Sequence, residues 1–448
     1  MTVHRAERLP VHSGAAAWNA ILPVRAAFPP LDGDISVDVA VVGAGFAGLS
    51  AARRLCQLDP LLRVAVFEAG GLAEGASGRN SGFMIDLPHD LQSEDYAGKG
   101  VASDREMTAL NRSAIAFARD AVEDYAIDPA FFDPVGKING AATNTGRKLN
   151  VSYAEHLTAL GEANEMLDEK SMHDVTGSRH YTSGLYTPGT VMLQPAGYIR
   201  SLATGLARDG IQIYENTPVT KLDRADADWL LATPKGRVSA ANVILANNGH
   251  LESFGFARRR LMHVFLYASM TVELAKDVLA RLGGQPRWGI TPSDPMGTTM
   301  RRIDTAQGGN RIVTRTCATY LPDMVASEAA VRRAARVHRA KFADRFPTIA
   351  DVPMEYSWAG HLCLTWNGVA VMRELETGLF SACADNGLGT VRSTLTGIGA
   401  ADLVMNRPSD ISAHFLAEAP PTKLVPSPLA KIGANLFFRW KEWRARDE

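Results

Sequence analysis

The stretch VDVAVVGAGFAGLSAARRL, residues 37–55, admits few folds. Val37 to Val42 is a short, β-branched run between turn residues, the pattern of a strand buried on both faces of a parallel sheet. Gly43, Gly45 and Gly48 follow in GxGxxG spacing, and apolar residues from Phe46 to Leu55 recur with helical period. A second strand, Arg63 to Phe67, ends at Glu68, 20 residues after Gly48. In such a unit the first glycine permits a tight turn, the second lets a pyrophosphate approach the backbone, and the third lets helix and strand pack closely. The helix start offers unpaired N–H groups and the positive end of its dipole to phosphate. Glu68 accepts hydrogen bonds from a ribose diol and repels a 2′-phosphate. Gly43, Gly45, Phe46, Ala47, Gly48, Glu68 and Ala69 are therefore expected to hold a dinucleotide.

The next segment separates NAD from FAD. In an NAD dehydrogenase the chain after the acidic residue usually proceeds to the next helix of the sheet. Here it runs into EGASGRNSGFM, residues 74–84. Small residues crowd a single guanidinium, which suits backbone passing close to a flat, anionic ring. Ala76, Ser77, Gly78, Arg79, Asn80, Ser81 and Gly82 are expected beside a flavin, with Arg79 supplying positive charge. Further on, LFSACA reads as a strand and Asn386-Gly387-Leu388-Gly389 as a tight turn. Thr390 to Met405 reads as a helix, so a second glycine turn aims a helix N-terminus at charge that develops during catalysis.

Bulk properties exclude several classes. The 448 residues carry a formal net charge of −1, so nothing points to nucleic acid. Cys56, Cys317, Cys363 and Cys383 are scattered, with no CxxC and no Cys/His cluster at metal-ligand spacing. They read as reduced thiols. The N-terminus has no apolar leader and no run reaches membrane-span length, so the cytoplasm is the expected compartment.

These stretches together resemble the D-amino-acid oxidase superfamily of FAD-dependent amine oxidases, most nearly the branch containing γ-glutamylputrescine oxidase, where the loop signature reads close to GASGRNGG. The resemblance extends to QPAGYIRSLATGLARDGIQIYENTPVTKL (194–222), VILANNGH (243–250), EYSWAGHLCLTWNGVAVM (355–372) and LFSACADNGLGTVRSTLTGIGAADLVM (379–405). It implies cofactor contacts at Val219, Ala246, Asn247, Gly249, Gly387, Leu388, Gly389 and Thr390. It also implies a substrate carboxylate held by an arginine of TTMRRI, Arg301 or Arg302, since guanidinium binds carboxylate bidentately. Tyr267, His361 and Trp366 are the further candidate catalytic residues. Two departures stand out: Leu388 replaces a usual histidine, and Asn367 and Ala370 replace the acid and proline of Thr-x-Asp-Gly-x-Pro. The cysteine that tethers flavin in sarcosine-oxidase relatives aligns near Gly360, with Cys363 out of register, so noncovalent FAD is expected.

The fold class expected is α/β: a discontinuous Rossmann-like FAD-binding domain with an inserted antiparallel-sheet α+β substrate domain. The boundaries are an irregular arm, 1–36; the FAD domain, 37–100, 190–250 and 351–410; the substrate domain, 101–189 and 251–350; and a tail, 411–448. Strands are expected at 136–143, 260–274, 298–303 and 310–316, and a helix at 104–126. The tail's aromatic and basic residues read as a terminal helix docked on its own protein, with contact to a membrane surface the less favoured alternative. The function expected is oxidation of a primary or secondary amine or amino acid to an imine, with O2 as electron acceptor. The alternatives are a dehydrogenase passing electrons to a quinone or carrier, and a flavin-binding subunit without turnover.

Overall fold

The computed structural model describes residues 3–90, 93–98 and 100–448. Five parallel strands form the centre of one sheet, in the order Gln212–Tyr214, Val64–Phe67, Ile35–Val42, Arg237–Leu245 and Leu379–Cys383. Val39 to Val42 and Val64 to Phe67 are buried throughout, as strands covered on both faces must be. Beyond Arg237–Leu245 the sheet continues antiparallel through Asp228–Ala232, Lys221–Ala225 and Val3–Arg5. Val371–Glu376 pairs on the other branch with Leu379–Cys383, completing nine strands. The helices Phe46–Leu58 and Gly389–Val404 pack tightly together: a Cβ on Gly397 would lie 2.2 Å from the Ala47 carbonyl oxygen. Both helices start at the carboxyl ends of the strands, where open α/β sheets bind ligands.

The second sheet has eight strands, in the order Met354–Thr365, Leu261–Thr271, Arg311–Tyr320, Thr299–Ile303, Trp288–Pro292, Lys137–Ala141, Ser183–Thr187 and Glu165–Asp168. It is mixed where an antiparallel sheet was expected, because Trp288–Pro292 runs parallel to Lys137–Ala141. The expected boundary at 351 also gave Met354–Thr365 to the cofactor domain. That strand instead pairs with Leu261–Thr271 along its whole length, from Leu261↔Thr365 to Thr271↔Met354. The sequence of the strand shows its burial but not its partner. The helix Val101–Asp124 begins one turn before the expected start and packs on the cofactor side, with Ala114, Ala118 and Ala121 in the core.

The arm is largely irregular, as expected, with two short regular pieces. Val3–Arg5 adds a strand to the first sheet, and Ala17–Ala20 is a helical turn whose Trp18 is completely buried. Residues 1 and 2 of the arm lie outside the described residues.

The tail forms the helix Ser427–Arg444, which docks on the end of Arg311–Tyr320 that extends past its pairing with Thr299–Ile303. Ala430, Ala434 and Phe438 pack on Val264, Ala318 and Tyr320. Glu442 accepts from the Ala318 N–H at 2.9 Å, and Asn435 accepts from the Tyr320 N–H at 3.0 Å. Beyond the helix the Glu448 carboxylate is buried at the start of the helix Asn144–Leu160. It accepts from the Ala142 and Thr143 N–H groups, each at 3.0 Å, and from the Ser293 hydroxyl at 2.9 Å. Charge and dipole agree in sign there.

Replacing Glu448 by alanine orphans those buried donors, at about 1–3 kcal/mol. A melting temperature lowered by a few degrees, with FAD absorbance unchanged, is the expected result of a thermal scan.

Candidate functional site

One continuous cleft runs between the carboxyl ends of the first sheet and the second sheet, and residues of both line it. At its first end, Gly43 has φ +108° and a Cβ there would lie 2.7 Å from the Ala246 carbonyl oxygen. A Cβ on Gly48 would strike the Gly43 carbonyl oxygen at 1.8 Å. Only glycine permits this turn. Gly43, Gly45, Phe46, Ala47, Glu68 and Ala69 line the cleft, while Gly48 sits behind them as the packing glycine. Glu68 accepts from the N–H groups of Ala44 at 2.9 Å and Gly70 at 3.2 Å. Burial raises its pKa, and those backbone donors oppose the rise. Val219, Ala246 and Asn247 complete this end.

Two helix N-termini open into the cleft without side-chain caps, at Gly45 and Leu388. The first-turn N–H groups that remain free, beside that of Phe46 which Ser77 accepts, together with the glycine cradle and the Glu68 carboxylate fit a dinucleotide whose pyrophosphate needs donors and close backbone approach. Gly387, Leu388, Gly389 and Thr390 line the cleft at the second turn, and the Thr390 hydroxyl donates to the Phe83 carbonyl at 2.7 Å. Asp385, absent from the sequence reading, is buried there. Burial pushes its carboxyl up to about 6, against the Gly387 N–H, Arg392 and Asn248.

The loop 74–82 crosses between the sheets. Ala76, Ser77, Arg79, Asn80 and Ser81 line the cleft, and Ser77 Oγ accepts from the Phe46 N–H at 3.2 Å. Gly78 and Gly82 serve packing: their Cβ atoms would meet the Ala73 carbonyl oxygen at 1.8 Å and an Arg301 guanidinium nitrogen at 1.9 Å. Arg79 does more than line the cleft. Its guanidinium donates to the carbonyls of Glu74, Ser13 and Ala359 at 2.5, 3.1 and 3.2 Å. Burial lowers its pKa to about 10. The Asn80 side chain closes its own turn, donating to the Ser77 carbonyl and accepting from the Gly82 N–H, both at 2.7 Å.

Among the substrate candidates the structure corrects three. Arg301 is 2% exposed and donates to the carbonyls of Ser81 and Gly82 and to Gln307, at 3.2, 3.1 and 3.3 Å. It holds the loop from behind and does not border the cleft. Arg302 points to the opposite face and donates to the Gly283 carbonyl at 2.5 Å. Trp366 is 65% exposed and lies outside the cleft lining. Tyr267 lines the cleft, but its hydroxyl is hydrogen-bonded to Thr319 and it packs with Val331 and Ala334.

His361 lines the cleft as the end of a buried chain. Glu252 accepts from His263 Nε2 at 2.7 Å, and His263 Nδ1 lies 3.1 Å from His361 Nε2. A carboxylate only accepts, so His263 carries its proton on Nε2; a neutral His263 then accepts through Nδ1 from His361 Nε2–H. Burial, then His263, His250 and His12, hold the His361 pKa well below its usual value, so the ring stays neutral. Gly249 is outside the lining; a Cβ there would meet His361 at 2.6 Å and His263 at 2.9 Å, so it admits the two rings.

The sequence reading missed Arg315. It sits beside Thr299 in register on the second sheet, lines the cleft, and donates weakly to the Thr299 hydroxyl at 3.4 Å. Among the described residues no carboxylate pairs with it. Burial lowers its pKa, and Tyr96 opposes. Nearby, His89 stacks on Tyr96 with centroids 4.3 Å apart, and both line the cleft. The fully buried Lys137, its pKa lowered by burial to about 8, also bears on His89. Arg315 is the cation in the wall at this end; Lys137 is buried outside the lining, where the Asp86 carboxylate favours its charge. Alternation could have placed Arg315 on a strand face, but the choice of face depends on pairing.

The family described as DAO, FAD dependent oxidoreductase, matches residues 38–403. A probable oxidoreductase OrdL of Rhizobium meliloti is 23% identical, over 90% of this chain and 91% of its own length. The γ-glutamylputrescine oxidoreductase of Escherichia coli is 25% identical, over 87% and 88%. In fold, glycine oxidase from Geobacillus kaustophilus superposes with a TM-score of 0.69 at 22% identity, covering 87% of this chain and all of that one. An L-amino acid deaminase from Proteus myxofaciens gives 0.66 at 15%, covering 90% and 96%.

The raised pKa of Asp385 sets a pH dependence. Its contribution to stability is present below the unfolded value near 3.8 and is lost as pH rises through about 6, where the buried group ionises. Relative to Asp385→Asn, the wild-type apoprotein is expected to lose about 2–3 kcal/mol between pH 4 and 7 in urea titrations. A flat difference across that range shows that Asp385 ionises freely.

Proposed function

The chain belongs to the family of FAD-dependent oxidoreductases, and on that premise we propose that it oxidises the C–N bond of a primary or secondary amine or amino acid to an imine. Water then hydrolyses the imine to an aldehyde or keto acid. FAD, when bound, supplies the hydride acceptor. Gly43, Gly45 and the two uncapped helix starts would hold its pyrophosphate, Glu68 its ribose, and the loop from Ser77 to Ser81 its ring.

The observation that carries the substrate reading is Arg315, a guanidinium in the cleft wall with no carboxylate paired to it among the described residues. A half-buried guanidinium in a cleft wall, its charge disfavoured by its surroundings, favours a counter-charge. A substrate carboxylate provides one, and relatives named for glycine and L-amino acids act on molecules that carry it. Hydride leaves the α-carbon of a neutral amine, so the chain's task is to orient the substrate and to favour its unprotonated form. The positive charge of Arg315 contributes to the second.

FAD is held noncovalently in this reading. Cys363 is fully buried among Leu261, Val371 and Cys383 and does not line the cleft, and Gly360 offers no nucleophile. Acid precipitation of the purified yellow protein should leave a colourless pellet. We take dioxygen as the electron acceptor; peroxide formed under air supports it, while reduction of an added dye without peroxide supports a quinone or carrier instead.

The deciding measurement compares amines with and without a carboxylate, following loss of flavin absorbance without oxygen. Arg315→Met is expected to cost about 2–5 kcal/mol in kcat/KM for carboxylated amines, roughly 30- to several-thousand-fold. Uncharged amines should change little. Equal losses for both substrate classes would remove Arg315 from recognition.

A further inference from the structure

The docked tail helix Ser427–Arg444 turns its small and polar side inward and its large apolar side outward. The inward side carries Ala430, Ala434, Asn435, Phe438 and Glu442. The outward side carries Leu429, Ile432, Leu436, Phe437, Trp440 and Trp443, which are 71, 62, 66, 51, 48 and 62% exposed. At 100° per residue Leu429, Ile432, Leu436, Trp440 and Trp443 form one stripe, with Phe437 at its border. Single exposed apolar residues need no explanation. Six on one helix face, two of them tryptophan, do.

The flanks of the stripe are basic. Arg439 and Arg446 lie on one side, Lys441 and Arg444 on the other. Lys441 sits 5.9 Å over Phe437 and 5.8 Å over Trp440; Arg444 and Arg446 lie 5.9 and 5.0 Å over Trp440 and Trp443. Glu442 is turned inward, where Arg333 and Arg439 share it. The other ion pairs of this region, Arg444 with Glu94 and Arg446 with Asp447, are exposed and so readily exchanged for phosphate. No helix among the described residues is long and apolar enough to cross a membrane.

We propose that this face is a binding surface for a membrane leaflet rich in anionic lipid. The helix lies along the interface, its tryptophans and aliphatic side chains at the level of the acyl boundary and its basic flanks on the headgroup phosphates. Aromatic rings with one wet edge favour that depth, and basic flanks give the preference for anionic lipid. The body of the protein anchors the helix from behind through Asn435, Glu442 and Phe438, so the surface is preformed. It is separate from the cleft, and binding leaves the cofactor site intact.

The test uses the full-length yellow protein and vesicles of phosphatidylcholine, alone or with about one-third phosphatidylglycerol. Co-sedimentation is expected only with the anionic vesicles, with a blue shift of tryptophan emission and weakening on added salt. Ile432→Ser combined with Trp440→Ser, and separately Lys441→Glu, should each lower the vesicle-bound fraction at least tenfold. Flavin absorbance and melting temperature should stay unchanged, because these side chains project outward. Equal binding to both vesicle types, or none at low salt, overturns the proposal. So does a stable dimer in light scattering that the serine variant dissolves, since a second copy would then be the occupant.

Discussion

The loop 74–82 lies between two sheets that share no strand pairing among the described residues, and two buried guanidinium groups hold it there. Arg79 donates to carbonyls of the loop, the arm and the strand Met354–Thr365. Arg301 reaches from the second sheet to the carbonyls of Ser81 and Gly82. Irregular backbone passing through an interior leaves carbonyls that need donors, and a buried charge needs acceptors. Each requirement meets the other. Two buried indoles add to the arrangement: Trp18 donates to the Asn80 carbonyl at 2.8 Å and Trp358 to the Arg79 carbonyl at 3.0 Å.

The density of small residues in this loop follows from those contacts. Gly78 closes against Ala73, and Gly82, at φ +75°, makes room for the Arg301 guanidinium. Ser77 then falls where its hydroxyl accepts from the first helix turn at Phe46. The loop is thus small-residued on both sides, toward the cleft and toward the arginines behind it. A reading that aimed all of this space at a ligand accounted for only one side.

What was legible in the sequence was local. Gly43, Gly45, Gly48 and Glu68 form one strand–turn–helix–strand unit, and much of what it requires is met inside that unit, as where Gly48 closes on the Gly43 carbonyl and Glu68 on the Ala44 N–H. The second turn at Gly387–Gly389 is likewise local. The rest depended on which strand pairs with which. Arg301 and Arg302 are buried strand arginines and Arg315 is half-buried, and alternation alone gives each a face without saying what that face meets. Arg301 meets the loop, Arg302 the Gly283 turn, and Arg315 the cleft, because Thr299–Ile303 lies under the loop at one end and beside Arg311–Tyr320 along its length. The strand in the arm was illegible for the same reason: Val3–Arg5 is a strand only because Lys221–Ala225 offers it an edge.

The cleft has unlike ends, and the difference bears on which amines react. Toward the first sheet, Glu68 and Asp385 are carboxyl groups whose ionisation burial disfavours. Toward the second sheet, Arg315 and Lys137 are cations whose charge burial disfavours. An amino acid zwitterion placed with its carboxylate on Arg315 cancels one of those positive charges. Lys137, with a pKa near 8, keeps much of its charge at neutral pH, but it lies outside the cleft lining with the Asp86 carboxylate acting on it, so Arg315 is the cation that a substrate would meet. Positive potential disfavours the ammonium form. If Arg315 takes a substrate carboxylate as proposed, the same end of the cleft would also favour the neutral amine, whose α-carbon can then lose hydride.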